Sequence, residues 1–333
     1  MSVAEISGGG RHLAGIVLFA VLVGCVPFVT SSGVALNFVM MALYATLIAQ
    51  AWNMLGGFGG QFSFGHALFF GTGAYVQAIA QLQGGINAWV ALPMAIAGGA
   101  LVAIFVGGLT FRYGLKGSYF ALVTLAFAEV FRIVALSVPF TGGGVGLMVP
   151  LRESAANLQF ASRSGYLWVV LAFVTAALLV TWWLRNGRFG AYLQAVRDNE
   201  DAARAVGVDP FRVKVAAIGI SGAFMGAAGA FYVQVFQYID PGIAYGSGTS
   251  VEALVAAIVG GMGTLWGPVL GAATLHVLSD LTRNLFGELP GINMVIYGVV
   301  LVLIVIFLPR GIAGLGLSVR QLWAGAGKGG RHG

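Results

Sequence analysis

The sequence has 333 residues, of which 59% are hydrophobic and only 8% are charged. Soluble domains carry about 25% charged residues, so this composition excludes a soluble globular protein. The 17 Lys and Arg residues outnumber the 11 Asp and Glu residues, and in a membrane protein this excess indicates cytoplasmic loops rather than nucleic-acid binding.

The numbers of glycine and cysteine residues restrict the class of protein further. The 52 glycines are about twice the usual share of roughly 7%. Because small residues let helices approach closely in lipid, they predict a tightly packed bundle of transmembrane helices. The single cysteine, Cys25, excludes an intrachain disulfide and a cysteine-based metal cluster.

Ten apolar segments follow one another along the chain. Between His12 and Tyr113 the only charged residue is Arg112, and a transmembrane helix needs about 20 apolar residues, so this stretch alone predicts about four spans. The ten segments cover residues 13–30, 34–54, 63–82, 88–111, 117–138, 166–184, 215–237, 250–265, 268–284 and 291–308. The sequence therefore predicts an all-α bundle of about 10 spans (range about 8–10), with broken or re-entrant helices.

The distribution of Lys and Arg predicts the orientation, because these residues concentrate in cytoplasmic loops. With the N-terminus inside, three of them fall outside, at Arg152, Arg163 and Arg283, and Arg132 falls within a span. The other thirteen are cytoplasmic: Arg11, Arg112, Lys116, Arg185, Arg188, Arg197, Arg204, Arg212, Lys214, Arg310, Arg320, Lys328 and Arg331. Both termini are therefore predicted to be cytoplasmic.

The connections define one transmembrane domain, residues 1–314. Residues 139–165 form an external loop that opens on the turn-prone Thr141-Gly142-Gly143-Gly144. Residues 185–214 form the one substantial cytoplasmic loop. Residues 315–333, rich in Gly, Lys and Arg, are predicted to be a disordered cytoplasmic tail.

Residues 53–75 combine glycines with polar side chains at membrane depth. The glycines are Gly56, Gly57, Gly59 and Gly60, and the polar residues are Asn53, Gln61, Ser63, His66 and Tyr75. Interrupted helices at membrane depth line cavities or binding sites in transporters, so we predict a helix break and a solute pathway here. The alternative is that the glycines are packing contacts and that His66 bonds a neighbouring carbonyl.

Glu129 and Arg132 lie three residues apart within the predicted span 117–138. This spacing allows a salt bridge on one helix face. The pair is interpreted either as structural, near the outer edge of the membrane, or as a contact for a zwitterionic amino acid.

The cytoplasmic loop contains one predicted helix, from Tyr192 to Val206, which Gly207 ends. Its apolar side would hold Leu193, Val196, Ala203 and Val206, and its polar side Arg197, Asp198, Glu200, Asp201 and Arg204, with Glu200 and Arg204 at i, i+4. Such a helix is either a docking surface for a soluble partner or a solvated connector.

A second glycine-rich interruption lies between the eighth and ninth segments. It runs from Gly260 to Gly267 and includes Gly261 and Gly263. Its Gly-Gly-x-Gly opening is similar to that of the first interruption. The flanking segments are either two crossings or one re-entrant pair.

The motif N-x-L-x-G-x-x-G-Q-x-S-x-G-H-A-x-F-x-G-x-G-A-Y, Asn53 to Tyr75, resembles the signature of LivH and LivM permeases in the branched-chain amino acid and ribose permease superfamily. Four further segments resemble the LivM branch: residues 117–125 with Glu129 and Arg132, residues 197–200 with Ala202, Ala203 and Gly207, residues 260–264, and residues 307–311.

This resemblance implies a permease subunit of an ATP-binding cassette importer in the bacterial inner membrane. It implies a second LivH-like permease, two cytoplasmic ATPase subunits that bind ATP and Mg, and an extracytoplasmic binding protein that delivers branched-chain amino acids or a related small polar solute. The coupling loop to the ATPases would comprise Arg197, Asp198, Asn199, Glu200, Ala203, Arg204 and Gly207. The sequence has no G-x-x-x-x-G-K-[ST] phosphate loop, so we expect no enzyme activity, cofactor or metal in this chain.

Two other functions also fit parts of the sequence. An ATP-independent transporter or channel would also contain broken, glycine-rich helices. An intramembrane serine protease would fit Gly219-Ile220-Ser221-Gly222 with His276 as base, although Ser221 also fits a small packing residue.

Overall fold

The protein is described by a computed structural model that covers residues 3–286, 292–307 and 311–314. Within these residues the fold is nearly all-α, as predicted. The helices are α1 (Val3–Gly24), α2 (Val26–Val29), α3 (Gly33–Gly59), α4 (His66–Leu82), α5 (Ala88–Arg112), α6 (Gly117–Ser137), α7 (Arg163–Asn186), α8 (Arg188–Asp198), α9 (Glu200–Ala205), α10 (Pro210–Phe236), α11 (Pro241–Tyr245), α12 (Ser247–Gly260), α13 (Gly267–Phe286) and α14 (Ile292–Phe307).

Each of the ten predicted segments overlaps a helix. Seven stretches of the described residues are long and apolar enough to cross a membrane: Gly10–Val29, Gly33–Gly59, Ala88–Arg112, Gly117–Ser137, Arg163–Asn186, Pro210–Phe236 and Pro241–Gly260. The other three segments form α4, α13 and α14, which are shorter or less apolar. The chain is therefore a multi-pass membrane protein.

Helix α10 lies at the centre of the bundle, packed against α3, α4 and α5. Its glycines allow this position. A side chain at Gly226 would overlap the backbone of α5 at Ala95, and one at Gly73 of α4 would overlap the backbone at Gly226. Helix backbones therefore touch directly, which confirms the close packing that the glycine content predicts.

Residues 139–165, the predicted external loop, fold back on the bundle through a two-stranded antiparallel sheet. Strand β1 (Leu147–Met148) pairs with β2 (Tyr238–Ile239), which follows α10. The predicted turn at the start of the loop is present, because Gly142 adopts a φ of +77°. Three short 3-10 turns, Pro139–Thr141, Gly143–Val145 and Ala155–Asn157, complete the loop.

Two helix boundaries differ from the prediction. Residues 185–214, the predicted cytoplasmic loop, include two short helices instead of one. Asn199 separates them, because it adopts an extended backbone and its side chain accepts hydrogen bonds from the amides of Asp201 and Ala202, as an N-cap does. Helix α3 continues through Gly56, Gly57 and Gly59 and ends only at Gly60. The predicted tail, residues 315–333, and the middle of the motif at 307–311 lie outside the described residues.

Candidate functional site

The two glycine-rich interruptions meet in space, although about 200 residues separate them. Asn53 of α3 accepts a hydrogen bond from the amide of Gly263 at 2.7 Å and donates one to the carbonyl of Thr264 at 3.0 Å. One turn earlier, the Gln50 amide donates to the Leu265 carbonyl at 2.8 Å. A fully buried strip of α3 therefore holds the turn between α12 and α13.

Glycine makes this contact possible. A side chain at Gly57 would overlap both Asn53 Oδ1 and the Gly263 amide nitrogen. Gly263 itself has a φ of +71°, a conformation that favours glycine. The contacts of Gln50, Asn53 and Gly57 with residues 263–265 are called the glycine junction below.

Arg197 of α8 ties the cytoplasmic loop to the glycine junction. Its Nη1 donates to the Gly57 carbonyl at 3.2 Å, and its aliphatic chain covers Gly60, which has a φ of +65°. Arg197 was predicted on the polar side of a helix, and its side chain is 38% exposed. It reaches the end of α3 because the glycines there leave room.

The remaining glycines of both interruptions also make close contacts. Gly56 packs on Trp52, Gly59 on Leu193 of α8, and Gly260 on the backbone of Gly267. Gly261 adopts a φ of +114° after the last residue of α12. The assignment of these glycines to gating stays a prediction.

His66 and Ser221 form a second buried contact, between α4 and α10. Nε2 of His66 lies 2.9 Å from Ser221 Oγ, and this hydroxyl donates to the Ala51 carbonyl at 2.7 Å. Because the serine's one proton is used there, His66 Nε2 must carry the proton of the pair and act as donor. A histidine in this state does not deprotonate Ser221, so the arrangement is that of a neutral clamp joining α3, α4 and α10.

His276, the base considered for Ser221, lies elsewhere. Its ring packs on Phe38 at 4.6 Å between centroids, whereas Ser221 contacts Ala51, about 20 Å further along α3 at 1.5 Å per residue. The two side chains are not brought together.

The other predicted pathway residues occupy different surroundings. Ser63 is buried; its carbonyl accepts a hydrogen bond from Trp52 and its hydroxyl accepts one from the Gly65 amide. Gln61 donates to the Gly59 carbonyl at 3.3 Å. Tyr75 stacks on Tyr245 at 5.7 Å between centroids. Gln61 Oε1 and the Tyr75 hydroxyl are buried without a hydrogen-bond partner among the described residues, so these two groups have capacity for a further contact.

Glu129 and Arg132 form the predicted salt bridge, with Nε and Nη2 of the guanidinium 2.9 and 2.5 Å from the two carboxylate oxygens. The pair lies on an exposed part of α6, a helix that packs against α4, α5 and α11. Its assignment as a solute contact stays a prediction.

Glu200 is the best-connected charge of the cytoplasmic loop. Its carboxylate lies 2.8 Å from Lys214 Nζ on α10 and 2.5 Å from Lys116 Nζ at the start of α6. The Lys214 side chain is only 2% exposed, and its ammonium lies 4.9 Å from the centroid of the Phe111 ring. We call Lys116, Glu200 and Lys214 the ion triad.

The ion triad corrects the predicted pairing of Glu200 with Arg204. Arg204 binds Asp201 instead, at 3.1 Å, and both are largely exposed. Partial burial raises the pKa of Glu200, but the hydrogen bonds and charges of Lys116 and Lys214 outweigh it, and the pKa lies below its usual range.

The other predicted loop residues shape α8 and α9. Asp198 pairs with Arg197 at 3.0 Å. Asn199 caps α9, Ala203 is buried beneath it, and Gly207 follows it with a φ of +87°, as predicted for a helix stop. The middle of the loop is therefore held at two points, by Arg197 at the glycine junction and by Glu200 in the ion triad.

Sequence reasoning missed several polar residues. Ser250 of α12 accepts a hydrogen bond from the Ala67 amide at 2.8 Å, at the start of α4. Gln234 is buried with both amide atoms unpartnered among the described residues. Glu252 lies on α12 without a salt bridge to any described residue. An acidic residue inside the apolar segment 250–265 is a signal that could have drawn attention to Glu252.

A family model described as "Branched-chain amino acid transport system / permease component" matches residues 34–305. The chain belongs to this permease family. The match spans the glycine junction, the His66–Ser221 clamp and the ion triad, and it confirms the family predicted from the motifs.

Individual permeases are similar to the chain over different lengths. The high-affinity branched-chain amino acid transport system permease protein LivM of Salmonella typhimurium is 29% identical over 94% of this chain and 78% of its own length. LivH of the same organism is 24% identical over 84% of this chain and 94% of its own. The autoinducer 2 import system permease protein LsrC of Escherichia coli O9:H4 is 28% identical over 60% of this chain and 61% of its own.

Proposed function

We propose that this chain is a transmembrane subunit of an ATP-binding cassette importer. It translocates branched-chain amino acids, or a related small polar solute, that an extracytoplasmic binding protein delivers. Hydrolysis of ATP takes place in two partner subunits on the cytoplasmic face, which also bind Mg. The chain itself is not an enzyme in this proposal.

The observation that carries the proposal is the anchoring of the cytoplasmic loop. Glu200 binds a buried lysine of α10 and a lysine at the start of α6, and Arg197 binds the end of α3. A movement of α8 and α9 would therefore reach three membrane helices through charged or hydrogen-bonded contacts. The outer side of α9, with Asp201, Arg204 and Val206 exposed, is free to meet an ATPase subunit.

We further propose ten crossings with both termini in the cytoplasm of the cell, in the bacterial inner membrane. The glycine junction supports two separate crossings for α12 and α13. Their connecting turn lies near Arg197, which belongs to the loop that the Lys and Arg distribution assigns to the cytoplasm. A turn at this level means that α12 has passed through most of the membrane rather than returning from its middle.

The partners in this proposal are a LivH-like permease, two ATPase subunits, the binding protein and membrane lipid, with no role for nucleic acid. Curated LivM and LivH of one organism are named as permease proteins of the same kind of system, and both are similar to this chain. Solute would pass along Asn53, Gln61, Ser63, His66 and Tyr75. Glu129 and Arg132, which face out of the single chain on α6, would join the pathway where it borders the second permease. Most of these groups are hydrogen-bonded to other residues of the chain, so opening of the pathway requires that some of those hydrogen bonds break and re-form with the solute or water.

The proposal is tested by ATP-dependent uptake of labelled leucine into proteoliposomes that hold this chain with its co-encoded permease, ATPase and binding-protein partners. We expect ATP-dependent uptake by the wild-type complex. Glu200→Ala should abolish this uptake in a complex that still assembles, because the loop loses its connection to α6 and α10. Asn186→Ala, which removes an exposed side chain that bonds only to its own helix α7, should leave uptake near the wild-type rate.

Other results would redirect the proposal. Transport of a different solute from a small panel would keep the mechanism and replace the substrate. Uptake that persists without ATP in the assembled complex would favour an ATP-independent transporter and contradict the proposal.

A further inference from the structure

The other helices of the chain cover only one narrow side of helix α6. Its membrane-spanning part is 28% buried, against 67% for the central helix α10. Five α6 residues are buried, and they form one stripe against α4, α5 and α11: Phe120, Ala121, Thr124, Ala128 and Ala135. The opposite face of α6 is open in the single chain.

Helix α5 has a comparable open face but a different composition. Leu101 is 65% exposed and Phe105 55% exposed, and between Ala88 and Phe111 the helix has no charged residue. A face of this kind is suited to lipid, because acyl chains and aliphatic side chains are equally apolar.

The open face of α6 carries charge at membrane depth. At 1.5 Å per residue, Glu129 lies about 18 Å along a helix about 31 Å long that begins at Gly117, and Arg132 lies about 4–5 Å beyond. At about 100° per residue, Glu129 points about 140° away from Thr124, at the centre of the buried stripe. The ion pair therefore lies in the outer half of the hydrocarbon region, on the uncovered face.

The geometry of the pair holds its charge at this depth. An arginine near a membrane surface usually extends its guanidinium towards the headgroups. Arg132 instead donates two hydrogen bonds to Glu129, on the preceding turn and nearer to the middle of the membrane. Charged groups that stay at such a depth face other protein or a water-filled space, because lipid does not solvate them.

We infer that the face of α6 that carries Glu129 and Arg132 is the surface on which the second permease subunit packs, with the ion pair enclosed at that interface. The inference rests on the proposed function, which supplies a LivH-like permease as the occupant. The exposed apolar residues around the pair, such as Leu122, Val130 and Ile133, provide the packing surface. Helix α5, without charge on its open face, remains in contact with lipid.

Spin labels at single cysteines test this assignment. Replacing the one native cysteine (Cys25→Ser) gives a cysteine-free background. Labels are then attached at Ile133→Cys or Val130→Cys on α6, and at Leu101→Cys on α5 as the matched control, and collision with oxygen is measured in bilayers. In the complex with the co-encoded permease, we expect the α6 labels to be several-fold less accessible to oxygen than the α5 label. In the chain alone, all three labels should be equally accessible.

Two outcomes would overturn the inference. Equal oxygen accessibility of the α6 and α5 labels in the assembled complex would place α6 in lipid. Protection of α6 that is already complete in the chain alone, and unchanged by the second permease, would assign the face to a second copy of this chain. Absence of ATP-driven uptake from the assembled complex would remove the proposed function, whereas the labels would still report whether α6 is covered.

Discussion

The glycine junction and the ion triad both hold α8 and α9 against the longer helices, but they do so by different physical means. The glycine junction is neutral and largely buried, and it depends on the absence of side chains at Gly57 and Gly263. The ion triad is charged and joins α9 to the starts of α6 and α10, and it depends on one carboxylate between two lysines. The glycine junction should therefore be sensitive to added volume, and the ion triad to the loss of charge.

The largest expected effect is that of adding volume at the glycine junction. Gly57→Leu places a side chain where Asn53 and the Gly263 backbone already lie, so α3 and the α12–α13 turn must separate. We expect a loss of most of the monodisperse protein, measured by size-exclusion chromatography of detergent extracts.

The matched control for this variant is Gly108→Leu in α5. No atom lies within 4 Å of the position that its Cβ would occupy, and it faces away from the neighbouring helices. It should give nearly the wild-type yield, and an equal loss from both variants would contradict the steric account.

A smaller effect is expected at the neutral clamp. Ser221→Ala leaves the buried Nε2–H of His66 without its acceptor, and an unsatisfied buried donor costs about 1–3 kcal/mol. The thermal unfolding midpoint of the purified permease should fall. Ser137→Ala removes a hydroxyl that bonds only to its own helix, at the exposed end of α6, and should leave the midpoint unchanged.

Charge removal at the ion triad should cost less stability than the clamp variant, because water reaches part of it. Glu200→Gln keeps the shape of the side chain and an oxygen that accepts from Lys214, so the lysine loses its counter-charge but keeps a hydrogen bond, which we expect to cost about 1–2 kcal/mol. Asp201→Asn breaks an exposed pair with Arg204 and should cost under about 1 kcal/mol. Equal falls in the unfolding midpoint of the two variants would contradict this account, because they would show that Glu200 stabilises the protein no more than Asp201 does.

The smallest expected effect is a pH dependence of the difference in unfolding midpoint between the wild type and Glu200→Gln. Because the folded-state pKa of Glu200 is lowered, the stability it provides is present above its ordinary pKa of about 4.3 and is lost as pH falls through the lower folded value. The difference in unfolding midpoint between wild type and Glu200→Gln should stay constant above about pH 5 and shrink below about pH 4. A difference that shrinks near neutral pH would contradict the lowered pKa.

Local sequence signals predicted the helices well. Each of the ten apolar runs overlaps a helix, and seven stretches of the described residues are long and apolar enough to cross a membrane, because hydrocarbon thickness sets the length of such runs. The i, i+3 spacing of Glu129 and Arg132 predicted their salt bridge, because both residues lie on one helix. Gly207 was correctly predicted as a helix stop, since only glycine adopts its backbone conformation readily.

Contacts between distant segments were not predictable from such signals. Ser221 and His66 are 155 residues apart, and the partners of Glu200 lie on other helices. The single helix predicted from Tyr192 to Val206 was wrong because Asn199 can cap a new helix as readily as it can continue the old one. The glycines at 56–59 were predicted as a break, but in a buried helix they keep the backbone hydrogen bonds and serve as contact points.

The position of α10 bears on how the protein is made. Helix α10 fits between α4 and α5 with backbones in contact, yet its first residue, Pro210, follows the last residue of α5, Arg112, by about 100 residues. At about 5–20 residues synthesised per second, this interval is about 5–20 s. During that time the glycine faces of α4 and α5 stand in the membrane without their partner, so insertion of the second half of the chain completes the packing of the first.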